Sequence, residues 1–136
     1  MGNVYMPDCI FCAVRDGPKS TIIMEDQNAF VILDKYPSSE GHMLVISKLH
    51  SASMIEADKN NISSMFIIAR EMAVRLKERL GADGVNVSTN IGREAGQIID
   101  HFHIHVIPRY AKPKEGFEIH KELSTERMKV LMAKLS

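Results

Sequence analysis

His101-Phe102-His103-Ile104-His105-Val106-Ile107 holds three of the six histidines of this 136-residue chain. Apolar and imidazole side chains alternate along it with period two. In a β-strand successive side chains point to opposite faces, so His101, His103 and His105 share one face. Phe102, Ile104 and Val106 share the other and are expected in the core. Three like titratable groups on one face are costly if all protonate, so some should work as neutral imidazole. Neutral imidazole is a nucleophile, a proton acceptor and a metal ligand. Two other readings stand beside that one. The run could be the exposed polar face of an edge strand, or a metal-hydrolase cluster, since His-x-His pairs bind catalytic zinc or iron. Such clusters add carboxylates, and here only Asp100 is adjacent, on the opposite side of the strand.

Outward from this run, Pro108 should end the strand at 102–107. Residues 85–90 alternate as a preceding strand, and 91–97 form a Gly-containing loop. A helix is expected over 61–80, with Ile62, Met65, Phe66, Ala69, Met72, Ala73, Leu76 and Leu80 on one face as core packing. Glu71 and Arg75 pair at i,i+4, Lys77 and Arg79 sit in the last turn, and Gly81 supplies the stop. Nearer the start, 9–14 is a short apolar segment running into the turn Arg15-Asp16-Gly17-Pro18. Residues 21–25, 29–33 and 43–47 read as strands, and Ser53-x-x-Glu56 as a capping box. A last helix should begin near Ser124 and turn Met128, Leu131 and Leu135 inward. The expected class is α+β: an antiparallel sheet of about five strands, one long helix and a C-terminal helix.

Length suits one domain over residues 1–136, able to bury a core without disulfides. Lys+Arg and Asp+Glu each number 17, so the formal net charge is zero. A nucleic-acid partner would favour a basic excess, so none is expected, while a small anionic ligand needs only a local pocket. No signal peptide is visible, Met6 stands where a myristoylation pattern needs Ser or Thr, and no run can span a membrane. The expectation is a cytoplasmic chain, with Cys9 and Cys12 either reduced thiols or metal ligands.

Cys9-x-x-Cys12 alone is ambiguous among a redox pair, two buried thiols and half of a metal site.

The sequence resembles the histidine-triad nucleotide hydrolases and transferases, whose signature is His-φ-His-φ-His-φ-φ, with φ an apolar residue. The resemblance runs from about Asp8 to Arg109. It includes Asp8-Cys9-Ile10-Phe11-Cys12, Asp34 followed by Pro37 and Gly41-His42, Asn90, Ala95-Gly96-Gln97, the triad, and Pro108-Arg109. It implies the histidine-triad fold and a nucleophilic His103 that attacks the α-phosphorus of a bound nucleotide. Such attack splits one hard displacement into two easier ones through a nucleotidyl-imidazole. By the same resemblance His105 contacts the phosphoryl oxygens, and His42 extends a hydrogen-bonded chain that orients the triad. Asn90 and the backbone N–H groups around Gly96 and Gln97 would stabilise phosphoryl charge. Asp34 would bind ribose hydroxyls, and Phe11 and Val14 would line the base pocket. Without the resemblance each has a plainer use: a turn at Asp34, core packing at Phe11 and Val14, a loop glycine at 96, a surface His42.

Zinc-containing members of that family combine two cysteines with two histidines, which here implies a closed structural site of Cys9, Cys12, His50 and His101. Family members also pair as homodimers, and the run Met65-Phe66-Ile67-Ile68 would suit that interface. His105 in the third position favours hydrolysis, since the uridylyltransferase-like branches usually carry Gln there. One departure matters. Ile98 follows Gly96-Gln97 where many family hydrolases place Ser or Thr as a hydroxyl donor, which leaves the preferred leaving group open. The resemblance thus implies a hydrolase of nucleoside phosphoramidates, adenylylated compounds or dinucleoside polyphosphates, with purine favoured. The alternative is a nucleotide-binding or scaffold protein with weak or vestigial activity. His120 joins no constellation.

Overall fold

Strand β5 (His103–Arg109) lies inside a five-stranded antiparallel sheet, flanked by β3 (Met43–Ser47) and β4 (Gly84–Ser88). Beyond β3 come β2 (Ala29–Leu33) and, at the far edge, β1 (Ile22–Glu25), giving the spatial order 1-2-3-5-4. The computed structural model describes residues 8–136. The leader and myristoylation readings at residues 1–6 lie outside them. Among the described residues no helix is long and apolar enough to cross a membrane.

Both faces of the middle strands are covered, which is why all of β3 is buried. On one face Phe102, Ile104 and Val106 join Val31, Leu33, Met43 and Val45 beneath the helices α2 (Lys59–Leu80) and α3 (Thr125–Leu135). The expected split of the histidine run into imidazole and apolar sides is therefore what the sheet shows. On the other face α1 (Ile10–Asp16) lays Phe11 over Phe30, Leu44 and Ile46. Register then puts His103 across from Ile46 and His105 across from Leu44, so β5 delivers both rings to the α1 side.

Helix α2 opens where Asp58 Oδ1 accepts the Asn61 N–H at 2.7 Å, and closes on Gly81 at φ 69. Met65, Ala69, Met72 and Leu76 are buried as expected, but Ile68 and not Phe66 completes the stripe. Phe66 sits at the stripe's edge, about 100° round the helix from Met65, and stays exposed beside Ile67. Arg75, expected to pair with Glu71, donates to the Leu135 carbonyl at 2.9 Å, and Arg79 donates to that of Ser136. Two cations on α2 thus meet the negative end of α3, where a helix C-terminus favours them.

Three local expectations need correction. The apolar segment at 9–14 is the helix α1, capped by Cys9, whose Sγ accepts the Cys12 N–H. Thr21 belongs to a 3₁₀ turn, Lys19–Thr21, and the strand starts at Ile22. Pro108 does not end β5, which runs to Arg109. Pairing with β3 stops at Val106, so Pro108 has β4 alone as neighbour, the edge situation in which proline is tolerated.

Candidate active site

His101 precedes β5, in the bend before it, and its ring has hydrogen-bond partners of its own. His101 Nε2 donates to the Ser47 carbonyl at 2.6 Å, which leaves Nδ1 with its lone pair. That lone pair points at a cluster. Cys9 Sγ is 3.2 Å from His101 Nδ1, Cys12 Sγ is 3.4 Å from His50 Nδ1, and the two Nδ1 atoms are 3.0 Å apart. All four ligand atoms lie within 4.8 Å of one another. A tetrahedral ion with Zn–N near 2.0 Å and Zn–S near 2.3 Å would space such atoms about 3.3–3.8 Å apart. Two sulfurs and two ring nitrogens converge at that spacing, so the donor set fits a metal. Without one, burial pushes the Cys9 thiol up and His50 down, and pushes His101 down to about 4. A bound cation would oppose the shift at Cys9 by favouring the thiolate, while the neutral histidines are already in the form that binds metal.

His103 is 8% exposed, and its Nδ1–H donates to the His101 carbonyl at 2.6 Å. Nε2 is therefore the nitrogen that keeps a lone pair in the neutral ring. Thr89 Oγ1 donates to the His103 carbonyl at 2.7 Å and ties the backbone on the other side. Phe11 meets the His103 ring edge-on at 5.1 Å between centroids. Burial pushes both His103 and His105 below the ordinary histidine value, so neutral imidazole is the resting form.

Tautomers propagate from the loop between β2 and β3. The Ser38 N–H donates to His42 Nδ1 at 3.0 Å, so the proton of neutral His42 sits on Nε2. His42 Nε2 lies 3.0 Å from His105 Nδ1 and donates to it, which leaves the His105 proton on Nε2. Burial pushes His42 down to about 4 against the pull of nearby Asp34. Asp34 Oδ2, at 3.6 Å from a neutral His42, therefore forms no ion pair with it. Asp34 Oδ1 accepts the Tyr36 N–H at 2.8 Å, which fixes the carboxyl group in its turn.

These groups open on a cleft of about 780 Å³, within the range that holds a small organic ligand. Of the residues singled out in the sequence, Phe11, Val14, Asp34, His42, Gly96, His103 and His105 line it. Asn90 and Gln97 do not. Asn90 abuts Gly96, donating weakly to its carbonyl at 3.4 Å. Gln97 is buried, accepting from the Gly92 N–H and donating to the Ala52 and Ile99 carbonyls, so its side chain braces the loop. The backbone N–H groups of Gly96 and Gln97, expected at a phosphate, donate instead to the carbonyls of Arg93 and Gly92. They close the 3₁₀ turn Arg93–Ala95, whose exit requires φ +93 at Gly96.

Three residues at the site went unassigned in the sequence. His120 lines the cleft, Ser38 holds His42, and Thr89 anchors His103. No periodicity or spacing marks them: Thr89 and His120 act across gaps in sequence that only the fold closes, and Ser38 acts on His42 through a backbone N–H that any residue could supply. Ile98 also lines the cleft and is 88% exposed.

The profile described as "HIT domain" matches residues 16–112. A hypothetical histidine triad nucleotide-binding protein from Sulfolobus tokodaii has a similar crystal structure. It is 34% identical with a TM-score of 0.87, and the match covers 93% of this chain and 89% of that one. A Zn-bound histidine triad family protein from Mycobacterium smegmatis is 33% identical with a TM-score of 0.75, over 94% and 93% of the two chains. The Arabidopsis thaliana protein named adenylylsulfatase HINT3 is 36% identical over 103 residues, which are 75% of this chain and 52% of that one. With its histidine triad entering and running along β5 and a profile match over most of its length, the chain belongs to the histidine-triad (HIT) domain family.

Proposed function

We propose that this protein is a nucleotide hydrolase that releases a nucleoside monophosphate through a nucleotidyl group carried on His103. One observation bears most of the weight: His103 Nδ1 is committed to the His101 carbonyl, so Nε2 is the free nucleophile on the cleft wall. In the first step Nε2 bonds to the α-phosphorus while the phosphorus–nitrogen or phosphorus–oxygen bond to the leaving group breaks. The leaving group departs with the electron pair and takes up a proton. In the second step water attacks phosphorus, the bond to His103 breaks, and the ring regains its lone pair. His105 Nε2–H would donate to the phosphoryl oxygens, with Asn90 beside Gly96 as a further donor. Asp34 would accept from ribose hydroxyls, and Phe11 with Val14 would hold the base. The substrate range we assign is nucleoside phosphoramidates, adenylylated compounds and dinucleoside polyphosphates. A relative named adenylylsulfatase supports the second of these.

Replacing His103 with Asn and following release of nucleoside monophosphate tests the proposal. Release should fall to background with nucleotide binding retained, and quenched wild-type protein should carry a nucleotide mass on His103. If wild type and variant are equally inert, the second reading holds: a nucleotide-binding or scaffold protein. That reading draws on Ile98, an exposed apolar residue on the cleft wall where a hydroxyl donor would assist departure.

We assign Cys9, Cys12, His50 and His101 as a zinc site, supported by the donor geometry and by the Zn-bound relative. Four protein ligands leave no open position, so the metal would stiffen the join between α1 and β5 and take no part in the chemistry. We also propose a cytoplasmic homodimer. The exposed strip of Phe66, Ile67 and Val74 on α2 supports the pairing. Light scattering that returns a monomer mass at micromolar concentration would remove it.

A further inference from the structure

His120 sits in the segment between β5 and α3, which crosses the loop that holds Asp34 and His42. It is the one non-glycine residue with positive φ among the described residues, at φ 59. A left-handed conformation is disfavoured for a residue with a Cβ, so its surroundings must hold it there. They do so twice. The His120 N–H donates to the Pro37 carbonyl at 2.8 Å, and its ring Nε2 lies 3.1 Å from Ser38 Oγ. Further along, the Leu123 N–H donates to the Lys35 carbonyl at 3.0 Å, and Arg127 on α3 pairs with Glu40. The segment is thus strapped along the whole loop, with the His120 ring at the cleft wall.

Ser38 is the joint. Its Oγ meets His120, and its N–H is the donor that keeps the proton off His42 Nδ1. We propose that His120 is a positioning residue: by holding Ser38 in place it sets the direction of the hydrogen bond from His42 to His105, and so keeps the His105 proton toward the phosphoryl group. The logic is a choice between two arrangements. With Ser38 seated, His42 donates from Nε2 and His105 carries its proton on the far nitrogen. With Ser38 displaced, His42 can take its proton on Nδ1 and accept from His105 through Nε2. His105 would then face an anionic phosphoryl oxygen with a lone pair, which is repulsive. The effect on turnover rests on the hydrolase reading given above, whereas the tautomer itself does not.

The test uses His120→Gly, which removes the ring but keeps the backbone N–H and suits positive φ. Ser38→Ala, the double variant and His120→Asn complete the set; Asn tolerates this backbone and offers an amide to Ser38. Hydrolysis of adenosine 5′-phosphoramidate and imidazole nitrogen NMR of the His42 and His105 rings are the two readouts. We expect His120→Gly to lower kcat about fivefold, the scale of one lost neutral hydrogen bond, with KM within twofold. Ser38→Ala should match it, the double variant should be no worse than either, and His120→Asn should recover at least half the loss. The ring spectra should pass from one tautomer to a mixture. Additive losses, a change confined to KM, or unaltered ring spectra in His120→Gly would overturn the proposal. If wild type releases no nucleotide, the hydrolase reading fails while the spectra still decide this one.

Discussion

His42 Nε2 lies 3.0 Å from His105 Nδ1, and it is the donor because the Ser38 N–H occupies its other nitrogen. His103 is thus oriented by the His101 carbonyl and His105 by the His42 imidazole. Replacing His42 with Ala removes the donor and leaves His105 free to rotate or to switch its proton. We expect kcat to fall about 100-fold, the cost of misplacing a reacting group, with a smaller change in KM. Steady-state kinetics on a nucleoside phosphoramidate decide it, and a fall below threefold would show that His105 needs no such partner.

Acid should weaken the fold through the same ring. His42 titrates near 4 when folded and near 6.5 when free, because burial penalises its charged form. Between those values the unfolded chain binds a proton that the folded chain refuses. Stability is therefore full above about pH 6.5 and falls as pH drops towards 4. At most about 3–4 kcal/mol is at stake, the product of that shift and 1.36 kcal/mol per unit. Urea melts of wild type and His42→Gln from pH 7 to pH 4 should converge as pH falls. Parallel curves would disprove it.

Gly41 can be tested directly for the packing that seats His42. Its φ is +100, and a Cβ there would lie 2.6 Å from Leu80 Cδ1 and 3.2 Å from Leu76 Cδ2. Gly41→Ala combines backbone strain with a collision against α2, at an expected cost of about 2–4 kcal/mol. Thermal melting measures it. Gly84, where a Cβ meets open space, is the control and should move little as Gly84→Ala.

Chelation should separate structure from chemistry. Removing metal with a strong chelator, or replacing Cys12 with Ser, should lower Tm by several degrees and drop zinc content below one half equivalent. Loss of a structural ion removes folding free energy directly. An unchanged melting curve with no metal found would discard the zinc assignment and leave two buried thiols.

Ile98 offers the converse experiment, a gain. At 88% exposure, Ile98→Ser should change stability by less than about 0.5 kcal/mol. The new hydroxyl would stand at the cleft wall as a donor to the departing group, and we expect release to rise about tenfold. No change across several leaving groups would mean that this loop position does not reach the reacting atoms.

The triad run announced its own strand because alternation is a local property, and the apolar half of that alternation did enter the core. Helix α2 was equally legible from its period, apart from Phe66, whose place at the stripe's edge the pattern alone could not settle. Pro108 misled because the rule that proline ends a strand presumes two neighbours, and neighbours are a property of the sheet. Gly96 and Gln97 were legible as a tight loop, but the destination of their N–H groups depends on carbonyls that fold back onto them. His120 left no trace at all. Its partner Ser38 stands 82 positions away, and nothing in either neighbourhood points at the other.

Cys9 and His101 meet across 92 positions of chain. A ribosome adding roughly 5–20 residues each second therefore spends several seconds on a nascent chain that holds its thiols but no imidazole to meet them from the triad. Neither the cleft nor the corner beside it can exist during that interval, because β5 supplies His103 and His105 to the one and the bend before it supplies His101 to the other. Birth of the two clusters is a single late event, and a chain cut short before His101 would lack both at once.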